Sequence, residues 1–435
     1  MKKIILLVSL LIVVLGIGYW YFRNDTDENK KNEEEKSLFI ITSPYDNVDW
    51  DTIGHFKADL HVHTTNSILS EGFIDECDGA SLAEVIEHYY ERGFDILGIA
   101  DHNFVTYAWR DTPGGLTRER EEEIMSGVGR GGRGMFQVPF GIEQTEVEHF
   151  TSFFANHINH HYALDNLRNR VRPIETFDNM LSVIYEVEKL GGISFINHPG
   201  RYTGGNRNLE DGELASNNPE TIQRYVDMFM RHPSVIGMEI VNQTDLETLS
   251  DRILWDNILK QTMPEGRFVW GFANSDRHFA YHVGWAFNIM LIDEDDLRTN
   301  GRRGIHAVTD NAIHRESLYN PIRRAMETGA FYAVAVIARR ENVNSHVGED
   351  EEEKYLYLVN NNTPRITRIT SGNDKITIEG NYYNVVEWIA DGKIIATGNT
   401  LNLRNHSNEI NSYVRAQLKS SYGIAFTQPF RIEKR

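Results

Sequence analysis

Cys77 is the only cysteine in the chain. That excludes an intramolecular disulfide and a thiolate cluster, so any metal must be held by nitrogen and oxygen ligands. Cys77 lies in the acidic stretch Asp75-Glu76-Cys77-Asp78, which works against a reactive thiolate, and it is not expected to act as a nucleophile. Positive charge is also scarce. There are 44 Lys and Arg against 63 Asp and Glu, a net charge of −19. Such a surface repels polyanions, and no nucleic acid partner is expected. The glycine-rich stretch Gly127 to Gly134 lacks the Lys-Ser/Thr ending of a phosphate-binding loop and has no apolar strand before it. It is expected to be a flexible loop near the mouth of a site.

Apolar and aromatic material is ample. With 40% hydrophobic residues, 19 Tyr, 21 Phe and 7 Trp over 435 residues, the chain can bury a barrel-sized core plus an accessory unit. At the N-terminus Lys2 and Lys3 precede an apolar run from Ile4 to Phe22, long enough to cross a bilayer core of about 30 Å. The run ends in the interfacial aromatics Tyr19 to Phe22 and shows neither a small-residue cleavage signature nor a lipobox cysteine. Residues 1–22 therefore read as an uncleaved signal anchor. The positive-inside tendency then places the rest outside the cytoplasm; cleavage would make the protein secreted. Residues 23–50 read as a polar tether.

Over residues 51–340 short β-branched runs alternate with helical stretches. Asp95 to Ala100, Ile193 to Asn197, Val235 to Val241 and Phe268 to Ala273 read as buried strands. Ser81 to Arg92 carries a Ser81 and Glu84 capping box and stops at Gly93, and Ile174 to Leu190 repeats this layout. Repeated strand and helix units imply an α/β fold with a parallel sheet, closed as a TIM-like barrel, whose chemistry sits at the strands' C-terminal ends. Residues 341–363 read as a linker. Residues 364–435 contain short strands separated by turns such as Asp391-Gly392 and Gly398-Asn399, and are expected to form a small all-β immunoglobulin-like sandwich with Trp388 and Tyr413 inside.

The chemistry-bearing residues recur at the ends of those strands. His61 and His63 in Asp59-Leu60-His61-Val62-His63-Thr64 share a strand face and can share one ion. His102 follows the strand ending at Ile99, with Asp101 beside it to orient a ligand or move a proton. Glu143 supplies a carboxylate able to bridge two cations, and His149 follows it. Pro199 stops the strand that ends in His198, and Arg201 can reach an anionic substrate. Asp276 and His278 end a further strand, with Arg277 between them.

In this order, the segments Asp59 to Thr64, Ala100 to Asn103, Gly141 to Glu143, His198-Pro199 and Ser275 to His278 resemble the polymerase and histidinol phosphatase (PHP) family of metal-dependent hydrolases. The resemblance covers roughly residues 55–280. It implies a distorted barrel of seven β/α units with two or three Zn, Mn or Fe ions. One ion would take His61, His63, Glu143 and Asp276, and a second Glu143, His149 and His198. A third would take His102, His278 and a carboxylate from Ser70-Glu71-Gly72, where Glu71 replaces the family's Asp at a longer spacing from His63. His157, His160 and His161 are alternatives to His149. A hydroxide held between two ions would attack a phosphoester, with Arg201 or Arg277 steadying the developing charge. The substrate class is then a small anionic or ester-type molecule. Exported relatives with a C-terminal β domain resemble carbamate hydrolases, which keeps carbamate, ester or amide cleavage open. So does an inactive cell-surface binding protein whose β domain docks an unknown protein or glycan.

Overall fold

The computed structural model describes residues 37–67, 77–145, 148–156, 176–200, 209–243, 248–307, 309–336 and 362–435 of a mixed α/β protein. The anchor run, Glu71, the alternative histidines 157, 160 and 161, Arg201 and most of the 341–363 linker lie outside these residues. No helix among the described residues is long and apolar enough to cross a membrane.

Helix α1 (Leu82–Glu91) has the expected start. The Ser81 hydroxyl accepts from Glu84 N while the Glu84 carboxylate takes the Ser81 N–H, satisfying two orphan donors of the first turn. Gly93 follows at φ +77°, a backbone state that favours glycine. Helix α2 (Arg118–Ser126) ends at Gly127 in the left-handed region, and α3 (Phe177–Lys189) is capped by Thr176, later than the Ile174 start expected. Helices α4 (Leu209–Ser216), α5 (Pro219–Arg231), α6 (Leu249–Thr262), α7 (Glu294–Asn300), α8 (Asp310–Ser317) and α9 (Pro321–Thr328) follow.

The strands of the larger region are β1 (Phe39–Thr42), β2 (Gly54–Asp59), β3 (Ile96–Leu97), β4 (Phe136–Gln137), β5 (Ile142–Gln144), β6 (Phe150–Phe153), β7 (Ile193–Ile196), β8 (Val235–Asn242), β9 (Trp270–Asn274), β10 (Ala286–Ile292) and β11 (Phe331–Ala335). Those of the C-terminal region are β12 (Arg365–Gly372), β13 (Lys375–Asn381), β14 (Val385–Ala390), β15 (Lys393–Thr397), β16 (Thr400–Asn402), β17 (Tyr413–Ser420), β18 (Gly423–Phe426) and β19 (Phe430–Lys434).

No closed barrel is found among the described residues. Strands β5 to β9 make one sheet in chain order, with β6 antiparallel to both neighbours, while β2, β3 and β4 belong to a second sheet that continues through β10 and β11. Isolated bridges span the two gaps: His102 to Glu143 and Thr106 to Gly141 across one, and Val62 to Arg277 across the other. Beside β9 the ladder is replaced by side chains. The Gln428 amide accepts from Gly271 N and donates to Gly271 O, both at 2.8 Å, and Asn288 does the same for Ala273 at 3.0 and 2.7 Å. The edge's backbone groups are thereby satisfied without a neighbouring strand.

The C-terminal strands do not stand apart as the expected immunoglobulin-like sandwich. β18 pairs with β11, so β17, β14 and β15 extend the sheet that holds β2. A short sheet of β12, β13 and β16 lies beside it, and Trp388 and Tyr413 are fully buried. Part of the expected tether is structured as well: β1 pairs with β19, and the Asp374 carboxylate receives Leu38 N and Phe39 N. The segment is too apolar at Phe39 and Tyr45, both buried, to remain a solvated link.

The Gly127 to Gly134 stretch also differs from expectation. It lies at the N-terminal end of β3, away from the strand ends that carry the histidines, and it is anchored there. Arg133 donates twice to Asp95 at 2.7 Å and Arg130 once at 2.9 Å. Its glycines at positions 127, 129, 131 and 132 all have positive φ, which lets the chain turn tightly enough to aim both guanidiniums at one carboxylate.

Candidate metal centre

The ends of β2, β3, β7 and β9 converge with Glu143 in β5 and the start of the antiparallel β6. His61 and His63 follow β2, His102 follows β3, His149 precedes β6, His198 follows β7, and Asp276 and His278 follow β9. Two of these turns are strained. His198 has φ +27° and Asp276 φ +44°, sparsely populated states for residues other than glycine and of a kind that clusters at functional sites.

Glu143 is the hub. Its Oε1 lies 3.2 Å from His61 Nε2, 3.0 Å from His149 Nδ1 and 3.4 Å from His198 Nε2, and its Oε2 lies 2.8 Å from His102 Nδ1. Asp276 Oδ1 is 3.0 Å from His63 Nε2 and 3.4 Å from both His61 Nε2 and His278 Nδ1. Ligand atoms of His61, His63 and Glu143 lie within 4.8 Å of one another, as do those of His102, Glu143 and His149, and of His63, His102 and His278. His102 therefore joins the Glu143 group as well as the His278 group. Glu143 sits within β5 rather than after it.

Partners behind the cluster fix which imidazole nitrogen faces inward. Glu239, fully buried in the apolar run of β8, accepts from His61 Nδ1 at 2.9 Å, leaving Nε2 with its lone pair toward the centre. Its other bonds come from Asn274 at 2.8 Å and from Asn242 and His198 N at 2.9 Å. Glu239 is close enough to His61 and His198 to complete a ligand set. Four donors already occupy its oxygens, so it serves to orient His61. His63 Nδ1 meets Ser67 Oγ at 2.9 Å, which itself donates to Asp101, and His278 Nδ1 donates to the Asp276 carbonyl at 2.9 Å. Both rings thereby use Nδ1 as a donor, which turns Nε2 of each away from that bond.

The donor set fits cations. Asp59, Asp101, Glu143, Glu239 and Asp276 are all buried, and among the described residues no Lys or Arg pairs with Glu143. Glu143 Oε2 is buried with no hydrogen-bond partner among those residues, although imidazole nitrogens surround it. An anionic pocket of this kind needs positive charge to be stable. Burial alone would raise the carboxyl of Glu143, but the imidazoles of His61, His102 and His149 outweigh it and hold the group well below the usual range. Burial and the neighbouring His102 and His278 push His63 down to about 3, and burial pushes His149 down to about 4, so both are neutral and able to ligate.

Asp101 and Arg277, two of the expected catalytic residues, take other places. Asp101 is fully buried and spent on Thr64 N at 2.6 Å, Thr64 Oγ1 at 2.9 Å and the hydroxyls of Ser67 and Thr106 at 3.3 Å. It ties the segment after β2 that carries His63 to the segment after β3 that carries His102; burial raises its carboxyl to about 6. Arg277 is also fully buried: its guanidinium donates to Asp78 at 2.5 Å and to the His63 carbonyl at 3.3 Å. It braces the junction of β2 and β9 instead of facing a substrate. Glu239 is the residue that sequence reasoning missed. Its signal was a lone acid inside Val235-Ile236-Gly237-Met238-Glu239-Ile240-Val241.

No protein-family model matches the chain, and no curated protein matches it. Among solved structures, an amidohydrolase from Chromobacterium violaceum, with bound sulfate and no metal, is similar over 51% of this chain and 87% of that one, at 13% identity and a TM-score of 0.30. A likeness that slight does not establish a shared fold.

Proposed function

We propose that this protein is a metal-dependent hydrolase whose substrate is a phosphoester. The observation that carries the reading is Glu143, a buried carboxylate within reach of His61, His102, His149 and His198, where it can join two cation positions. His61, His63, Glu143 and Asp276 would hold one ion and His102, His149 and His198, with Glu143, another; His278 with His63 and His102 offers a third position. Zn, Mn or Fe suits nitrogen and carboxylate donors of this type. When bound, such ions polarise a phosphoryl oxygen and supply a nucleophile from water at neutral pH.

The chain's own residues do the positioning. Glu239 and Ser67 lock the rings of His61 and His63, and Asp101 ties the segment after β2 to that after β3, so these two rings are oriented before a substrate enters. The order of the histidine and acid motifs favours a phosphoester; an aryl carbamate or ester is the second reading, since it needs the same ions. The apolar run from Ile4 to Phe22 behind Lys2 and Lys3 supports a membrane-anchored protein with its site outside the cytoplasm.

The test is metal analysis of the purified full chain, followed by hydrolysis of bis-nitrophenyl phosphate and of an aryl carbamate with and without chelator. Chelator-sensitive cleavage of the phosphate ester is expected. Preference for the carbamate would move the assignment to the second reading. A chain that binds no metal and turns over neither compound would leave only the inactive binding protein.

A further inference from the structure

A cavity of about 470 Å³ lies on the outer face of β2, β10 and β11, under Pro364 and Arg365, and shares no residue with the metal centre. Along β2 the side chains alternate: Phe56 and Ala58 enter the apolar core, while His55 and Lys57 face the cavity. Pairing places Ile289 beside Lys57 and Tyr332 beside Ile289, so the floor is apolar and aromatic around one ammonium.

Among the described residues that ammonium has no close counter-ion. Lys57 Nζ lies 4.0 Å from the centre of the Phe94 ring and 4.4 Å from that of Phe287, and makes no hydrogen bond or ion pair among the described residues. The acids nearest to it are engaged elsewhere. Asp95 holds Arg130 and Arg133, and Asp59 holds Tyr89 and Ser275. Burial pushes the Lys57 amine down to about 8 against the pull of Asp59 and Asp95, which leaves it charged at neutral pH. Arg365 at the rim likewise has no ion pair among the described residues, and burial together with the charges of Arg365 and Arg133 keeps His55 neutral. In a chain of net charge −19, this is a local excess of positive charge over an apolar floor. Ring faces steady a cation but do not neutralise it. The arrangement asks for an anion with an apolar body.

We propose that this cavity is a second ligand site, which takes a small aryl or branched-alkyl carboxylate with its charged end at Lys57 and Arg365 and its body against Phe287, Tyr332 and Val334. The site is independent of the hydrolytic reading, and calorimetry on the full chain tests it with benzoate, benzamide and inorganic phosphate as probes. Benzoate should bind, with benzamide and inorganic phosphate each at least about tenfold weaker, because one lacks the charge and the other the apolar body. Lys57→Met should weaken benzoate at least about tenfold, and the rim variant Arg365→Gln should weaken it several-fold, which keeps the test usable if the first variant folds poorly. His61→Ala should leave benzoate affinity unchanged. The proposal is overturned if benzoate does not bind, if neither cation variant weakens it, or if His61→Ala abolishes it, since the last result would put the carboxylate at the metal centre.

Discussion

Replacing Glu239 by Gln changes one atom of a buried side chain yet should weaken metal binding strongly. Glu239 Oε1 accepts from His61 Nδ1 and Asn274, and Oε2 accepts from His198 N and Asn242. A carboxylate can serve all four donors; an amide cannot, because one of its ends becomes a donor itself. If the new NH2 faces His61, the ring must present Nδ1 as acceptor, which moves the proton to Nε2 and blocks that ligand atom. If it faces the other way, the backbone N–H of His198 loses its acceptor and the strained turn at φ +27° loses a constraint. Either outcome forfeits at least one hydrogen bond to a charged acceptor, about 1.5–3 kcal/mol. Expressed at the metal, that is a loss of roughly 10- to 100-fold in affinity, the usual size for a partner behind a ligating histidine. Competition with a chromophoric chelator, on protein whose cooperative unfolding is intact, measures it. Affinity within about threefold of the parent would show that Glu239 does not set the His61 tautomer, and the account of the centre would fall with it.

The ligand set itself is tested by His61→Ala and Asp276→Ala, each expected to lose bound metal by elemental analysis together with hydrolytic turnover. Asp256→Ala should destabilise the fold by about 3–5 kcal/mol in denaturant titration, because it strands Arg415, whose guanidinium is buried on that carboxylate at 2.8 and 2.6 Å. Arg277→Met should lower stability by about 1–3 kcal/mol by removing the donors to the His63 carbonyl and to Asp78, which keeps only the backbone N–H groups of Ala80 and Ala280, while leaving KM for a phosphate ester nearly unchanged. Burial would raise the carboxyl of Asp374, but hydrogen bonds from Ser37, Leu38 N, Phe39 N and Arg404 overcome it and depress the group from 3.8 to about 2. A depressed acid stabilises above its unfolded value, so the docking of β1 should persist above about pH 4 and be lost as pH falls toward 2, read by amide exchange at Leu38 and Phe39.

The sequence made the ligands legible because each sits where an apolar strand stops. His61, His102, His198 and Asp276 all lie within a few residues of a buried run, and a polar side chain there has a pocket to face. The capping box of α1 was readable for a similar reason: Ser81 and Glu84 act within one turn. What could not be read were the long-range partners. Asp101 and Arg277 look catalytic by residue type, and only the fold shows Thr64, Ser67, Thr106 and Asp78 consuming them. The missing barrel closure was hidden likewise, because Gln428 and Asn288 replace a strand ladder with two amides and leave no periodicity behind.

Those two amides bear on how the metal centre depends on the C-terminal strands. β9 delivers Asp276 and His278, and among the described residues it has no continuous strand partner on the side away from β8. Gln428 binds both backbone groups of Gly271, and Gln428 N is in turn held by Tyr45 Oη at 2.9 Å, which donates to the Phe331 carbonyl at 2.9 Å. The strand carrying a metal ligand is thus pinned by residues from three distant parts of the chain. Each link is a buried polar contact, costly to leave unmade. A loosened C-terminal region would therefore leave the groups of β9 unsatisfied before it disturbed any ligand directly. The C-terminal strands act structurally as part of the wall of the metal centre, whatever else their outer surface contacts.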